Sequence, residues 1–153
     1  MNEYEKKFKE YLVGKNISAK HISFNQSCHS VKEAADSVGA KETDFIKSIC
    51  FIDSNDNLIV AIVKGEDKVN KSMIESEIND KINIAKPKNI LKKSGYPCGG
   101  IPPFGYEAKF FIDSNVMKMD EVYAGGGSSQ SLIRISTDLI KESNDGKVLD
   151  ICD

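Results

Sequence analysis

Tyr4, Phe8, Tyr11 and Leu12 recur at helical spacing and Gly14 follows them, which predicts an amphipathic helix over residues 3–14. Ile22 to Phe24 reads as a short strand. Ser30-Val31-Lys32-Glu33 has the form of a capping box, in which serine and glutamate each satisfy an orphan helix N–H. The stripe Val31, Ala34, Ala35, Val38 then predicts a helix that stops at Gly39. Phe45–Asp53 and Leu58–Val63 flank the turn-rich Ser54-Asn55-Asp56-Asn57 and read as a hairpin. Its second strand is apolar on both faces, as a central strand must be.

Val69, Met73, Ile74 and Ile78 predict a helix between Asp67 and Ile78, and Ile82–Ala85 a short strand. Pro87 opens a helix at the position proline tolerates best, and Gly95 closes it. Further strands are expected at Ala108–Ile112, Val122–Ala124, Leu132–Ser136 and Val148–Ile151, with a helical turn at Met117–Met119 and a helix over Thr137–Glu142. Strands and helices mix without regular alternation. The expected fold is therefore α/β of the α+β type: one mixed, curled or barrel-like sheet of about six to seven strands, with helices packed outside.

A chain of 153 residues supports a single domain over 1–153 with its own core. Its longest apolar run, Leu58 to Val63, is far too short to span a bilayer, and the charged start from Met1 to Lys7 is unlike a secretory signal. The expected location is cytoplasmic. Cys28, Cys50, Cys98 and Cys152 form no C-x-x-C pair, so free and mostly buried thiols are expected. A net charge of −2 excludes a general grip on long duplexes. Lys86, Lys88, Lys92 and Lys93 make the one basic patch, explained equally by a solvated helix face.

Gly95-Tyr96-Pro97-Cys98-Gly99-Gly100-Ile101-Pro102-Pro103-Phe104-Gly105 holds four glycines and three prolines. Such a segment is stiff, ends regular structure and exposes main chain; a plain connecting loop has the same composition. Alternation puts Lys47 on the face of Phe45, Ile49 and Phe51, so this ammonium must snorkel, pair or line a cleft. Gly125 to Gln130 has the makings of either an anion-binding nest or a hairpin loop. Asp113 reads as a turn aspartate or an orienting group. No histidine or cysteine spacing suggests a metal, and no cofactor is expected. No nucleophile–base pair stands out, which suits a substrate that is already activated.

Taken in order, these motifs resemble the YbaK/prolyl-tRNA-synthetase-associated editing-domain family of trans-acting aminoacyl-tRNA deacylases. The likeness rests on His29 before the helix Ser30–Gly39, on Phe45-Ile46-Lys47-Ser48, and on the G-x-x-x-P pair Gly99 and Pro103. Ile112-Asp113, Ala124-Gly125-Gly126 and Leu132–Ile135 complete it, over roughly residues 20–142. The resemblance implies hydrolysis of the ester that joins a small, mischarged amino acid to tRNA. It implies Lys47, Gly99 and Pro103 as catalytic positions. Substrate contacts are implied at His29, Ser48, Gly100, Ile101, Pro102, Phe104, Asp113, Gly125 and Gly126. The implied partners are the aminoacylated tRNA acceptor end and an aminoacyl-tRNA synthetase, with no membrane. A non-catalytic module that binds a tRNA end, nucleotide or synthetase is the alternative. A thiol or serine hydrolase using Cys98 or Ser128 is a third.

Overall fold

The computed structural model describes residues 2–24 and 30–153. The first helix, α1 (Glu3–Gly14), opens on a complete capping box: Asn2 accepts from the Glu5 N–H, and the Glu5 side chain reaches back to the Asn2 N–H. Strand β1 (Lys20–Ser23) leads to α2 (Val31–Val38), which Ser30 caps through the Glu33 N–H and Gly39 ends in the left-handed conformation. The expected hairpin is β2 (Ile46–Asp53) and β3 (Leu58–Lys64), paired antiparallel with Ile46 opposite Lys64. Next come α3 (Lys71–Ile78), β4 (Ile82–Ile84) and α4 (Pro87–Ser94), with proline in the first turn of α4. Beyond the Gly/Pro segment lie β5 (Lys109–Asp113), β6 (Glu121–Gly125), β7 (Ser131–Ser136), α5 (Thr137–Asn144) and β8 (Lys147–Leu149). A single 3-10 turn, Val116–Lys118, occupies the place of the expected helical turn.

The strands divide into two sheets and close no barrel. One sheet has the order β4-β2-β3-β5-β8, the other β1-β7-β6. The first is mixed: β2–β3 and β2–β4 are antiparallel, whereas β3–β5 and β5–β8 are parallel. A parallel β3–β5 pair needs a long crossover, and residues 65–108, carrying α3, β4, α4 and the Gly/Pro segment, supply it. Among the described residues, the two sheets are joined by one parallel bridge, between Phe45 and Tyr123, whose rings stack at 5.0 Å. The strands expected in one sheet thus fall into two, bridged at this point.

Strand β3 is buried throughout Leu58–Val63, as its two-sided apolar pattern requires. Val60 and Ile62 face the larger core with Phe8 and Leu12 of α1, Ile90 of α4 and Ile140 of α5. Ile59, Ala61 and Val63 face a smaller core closed by Ile74 of α3. Each such fully buried aliphatic or aromatic side chain contributes roughly 1.5–3 kcal/mol relative to exposure. Among the described residues, no helix is long and apolar enough to cross a membrane.

Candidate functional site

Strand alternation decides where Lys47 points. Ile46 and Cys50 enter the larger core, while Ile49 and Phe51 belong to the smaller one, and Lys47 stands opposite Val63 on that second face. Its ammonium donates to the Gly65 carbonyl at 3.1 Å and is only half-buried. It lines a groove of about 560 Å³ together with Ile49, Phe51, Asp67, Lys71 and Ile84. Lys47 therefore both snorkels and lines a cleft. Ser48, one residue on and opposite Ile62, points to the other side of the sheet.

Gly95 ends α4 in the left-handed region, and Ser94 ties the exit by donating to Ile90 O and accepting from the Tyr96 N–H. Tyr96 is fully buried edge-on to Phe8, and its hydroxyl has no hydrogen-bond partner among the described residues; burial pushes its pKa up to about 12. Cys98 and Gly99 are exposed, and Gly99 has φ +92°, a conformation that side chains rarely adopt. From Gly100 to Phe104 the chain is buried. The Pro102 carbonyl accepts from the Tyr106 hydroxyl at 2.6 Å, and the Pro103 carbonyl from Asn144 Nδ2 at 3.0 Å. Phe104 packs against Phe8 and Tyr11.

The Gly/Pro segment lies directly on the second glycine-rich turn. A Cβ on Gly100 would overlap the Ser128 main chain, and one on Gly125 would overlap the Ile101 carbonyl. The Gly127 N–H donates to the Gly100 carbonyl at 2.8 Å. Lys47 stands two residues beyond Phe45 of the Phe45–Tyr123 bridge, and Gly125, against which Gly100 and Ile101 rest, two residues beyond Tyr123. The groove around Lys47 is itself lined by no residue of the Gly95–Gly105 segment. His29, like Cys28, lies outside the described residues.

Asp113 is buried at the end of β5 and accepts from the Ile151 and Asn115 N–H groups, as a turn aspartate does. Its carboxylate, Asp67 and Cys152 bring ligand atoms within 4.8 Å of one another. Burial, then the charges of Asp113 and Asp67, push the Cys152 thiol up to about 12 against the opposing pull of Lys47. Burial does the same for Cys50. Of the three described thiols, expected to be mostly buried, Cys50 is buried, Cys152 is half-buried and Cys98 is exposed.

Composition gave no warning of Glu5. It is 1% exposed, and its carboxylate accepts from Ser23 Oγ at 2.6 Å and Ser128 Oγ at 3.0 Å. Burial pushes its pKa up, but these hydroxyls, the Asn2 N–H and the nearby His21 outweigh it and hold the carboxyl below the ordinary carboxylate value. His21 Nε2 lies 2.8 Å from the Gly126 carbonyl, while its buried Nδ1 has no hydrogen-bond partner among the described residues. Burial lowers the His21 pKa, with Lys9 adding to it and Gly126 and Glu5 opposing. The signal for Glu5 was available: it stands three residues before Phe8 and seven before Leu12, on the buried stripe of α1. Ser128, bonded to Glu5 and buried, is no free nucleophile.

Three comparisons bear on these features. The profile of the aminoacyl-tRNA editing domain family matches residues 25–142. The Bacillus subtilis protein YwhH is 25% identical over 132 residues, 84% of each chain. The proline--tRNA ligase of Thermotoga neapolitana is 26% identical over 98 residues, which is 63% of this chain but 17% of the ligase. A crystal structure of a proposed trans-editing enzyme for prolyl tRNA synthetase superposes with a TM-score of 0.92 at 21% identity, covering 100% of this chain and 99% of that one. The fold is shared over the whole length.

Proposed function

The chain belongs to the aminoacyl-tRNA editing domain family and is an aminoacyl-tRNA deacylase, and we propose that it works in trans on mischarged tRNA carrying a small amino acid, with Lys47 at the reacting end. Water adds to the ester carbonyl carbon, negative charge gathers on its oxygen, and the bond to the ribose oxygen breaks. That oxygen takes a proton, releasing free amino acid and tRNA. An aminoacyl ester is labile, so electrostatic help and positioning supply much of the rate. Among the described residues the Lys47 ammonium bonds one carbonyl, that of Gly65, which leaves two N–H donors for the substrate.

Gly99 to Pro103 forms the acyl-side wall in this reading. The observation that supports it is the contact of Gly125 with the Ile101 carbonyl, at the end of the strand whose Tyr123 is bridged to Phe45, two residues before Lys47. A wall of main chain comes closer to a ligand than any side chain would allow, and size exclusion then favours small acyl groups. One methylene is worth only about 1–3 kcal/mol in such a pocket. The likeness to a segment of proline--tRNA ligase supports work beside a synthetase and a cytoplasmic location; co-purification of that synthetase with the chain tests the association. The decisive experiment is a panel of separately mischarged tRNAs, wild type against Lys47→Ala, scored for release of the acyl group. Turnover by wild type that is lost in Lys47→Ala is expected; equal turnover by both removes Lys47 from the mechanism.

A further inference from the structure

A buried carboxylate without a Lys or Arg partner is a costly way to hold a fold together, since a well-packed apolar side chain usually serves stability as well or better. Glu5 is such a group, and one of its bonds reaches the second glycine-rich turn. Oε1 takes the Ser23 hydroxyl and Oε2 the Ser128 hydroxyl. Ser128 in turn accepts the Gln130 N–H at 3.0 Å, and its own N–H donates to Ser131 Oγ at 3.1 Å. The carboxylate thus anchors the turn from Gly125 to Ser131 at Ser128.

What stacks on that turn is the Gly/Pro segment, with almost nothing between them. Gly100 leaves no room for a Cβ against Ser128, and Gly125 leaves none against Ile101. On the other side, a Cβ on Gly127 would stand 2.9 Å from the Tyr4 carbonyl. Helix α1, the turn and the Gly/Pro segment are therefore three main-chain layers in direct contact. Main chain has no rotamers with which to absorb a shift, so a displacement of the turn passes directly to Gly100 and its neighbours.

We propose that Glu5 is a positioning residue for deacylation: through Ser128 it sets where the Gly99–Pro103 wall stands, and so which acyl side chains the site admits. This rests on the reading of Gly99–Pro103 as the acyl-side wall. Glu5 itself touches no substrate.

Two readouts test it in Glu5→Ala, Glu5→Gln and Ser128→Ala, each first shown to be folded by circular dichroism. The first is amide exchange at Gly127, whose N–H bonds Gly100. The second is the ratio of kcat/KM for alanyl-tRNA to that for valyl-tRNA. Glu5→Ala is expected to speed exchange at Gly127 and to lower the ratio about tenfold, as small misplacements do. Ser128→Ala cuts the same link from its other end and should act in the same direction. Glu5→Gln keeps an acceptor for one hydroxyl and should recover much of the ratio. Unchanged exchange at Gly127 overturns the proposal, as does an equal loss on both substrates that tracks the melting temperature. A wild-type protein inert on every acyl-tRNA sinks the deacylation reading and the selectivity role with it, while exchange at Gly127 separately decides whether Glu5 holds the segment.

Discussion

Lys47 and Glu5 are the two charges that matter most here, and the fold treats them in opposite ways. Lys47 stands at a groove edge, half-buried, with one carbonyl as partner. Glu5 lies beneath the surface with its oxygens taken by two hydroxyls and a main-chain N–H. The lysine keeps capacity for something outside the chain; the carboxylate has spent its capacity on the chain itself. A charge that the fold leaves unsatisfied is available to a substrate, and one that it satisfies completely serves geometry.

That contrast predicts a separation of effects. The largest belongs to Lys47→Ala, which should lower kcat/KM by more than about a hundredfold yet cost only about 1 kcal/mol of stability, the worth of one hydrogen bond. Parallel kinetics and urea unfolding check both halves; a large stability loss would place Lys47 with Glu5 as a structural group. Gly100→Ala should lose about 3 kcal/mol by urea unfolding, because its new Cβ meets main chain that cannot rotate away. Glu5→Ala should lose about 2 kcal/mol, through the donors it leaves unpaired in a buried site. A loss below that of Lys47→Ala would erase the distinction.

The smallest effect is a pH dependence. Glu5 and His21 both titrate in the fold below their ordinary values of 4.5 and 6.5. For a lowered pKa the unfolded chain binds the proton more readily, so the stabilisation is complete above the ordinary value and is lost as pH falls through the folded one. Melting temperature should therefore begin to fall below about pH 6.5 as His21 is protonated in the unfolded state, and fall further below about pH 4.5 as Glu5 follows. His21→Gln should remove the first phase and leave the second. A flat profile down to pH 4.5 would show that the His21 environment does not discriminate against the proton.

Much of the architecture was legible in the chain because it depends on local periodicity. The stripe of α1, the cap at Ser30, the proline opening α4 and the two-sided apolar run of β3 are each decided within about ten residues. The family likeness was legible for a related reason: its motifs are short and keep their order. The same periodicity placed Lys47 on a mixed face. The break between two sheets at Phe45–Tyr123 was not legible, since which strands fail to pair depends on partners far apart in sequence.

Nor could one dimension reveal the role of Glu5. Its bond to Ser128 spans 123 positions, and a glutamate in the first turn of a surface helix normally reads as a cap beside the helix dipole. Composition by itself determined that two stretches would be poor in side chains, Gly95–Gly105 and Gly125–Ser131. Only the tertiary structure decided that they would lie on each other, main chain to main chain, with a carboxylate beneath. Glycine grants close approach to whatever arrives, and what arrives is chosen by the packing of the whole chain.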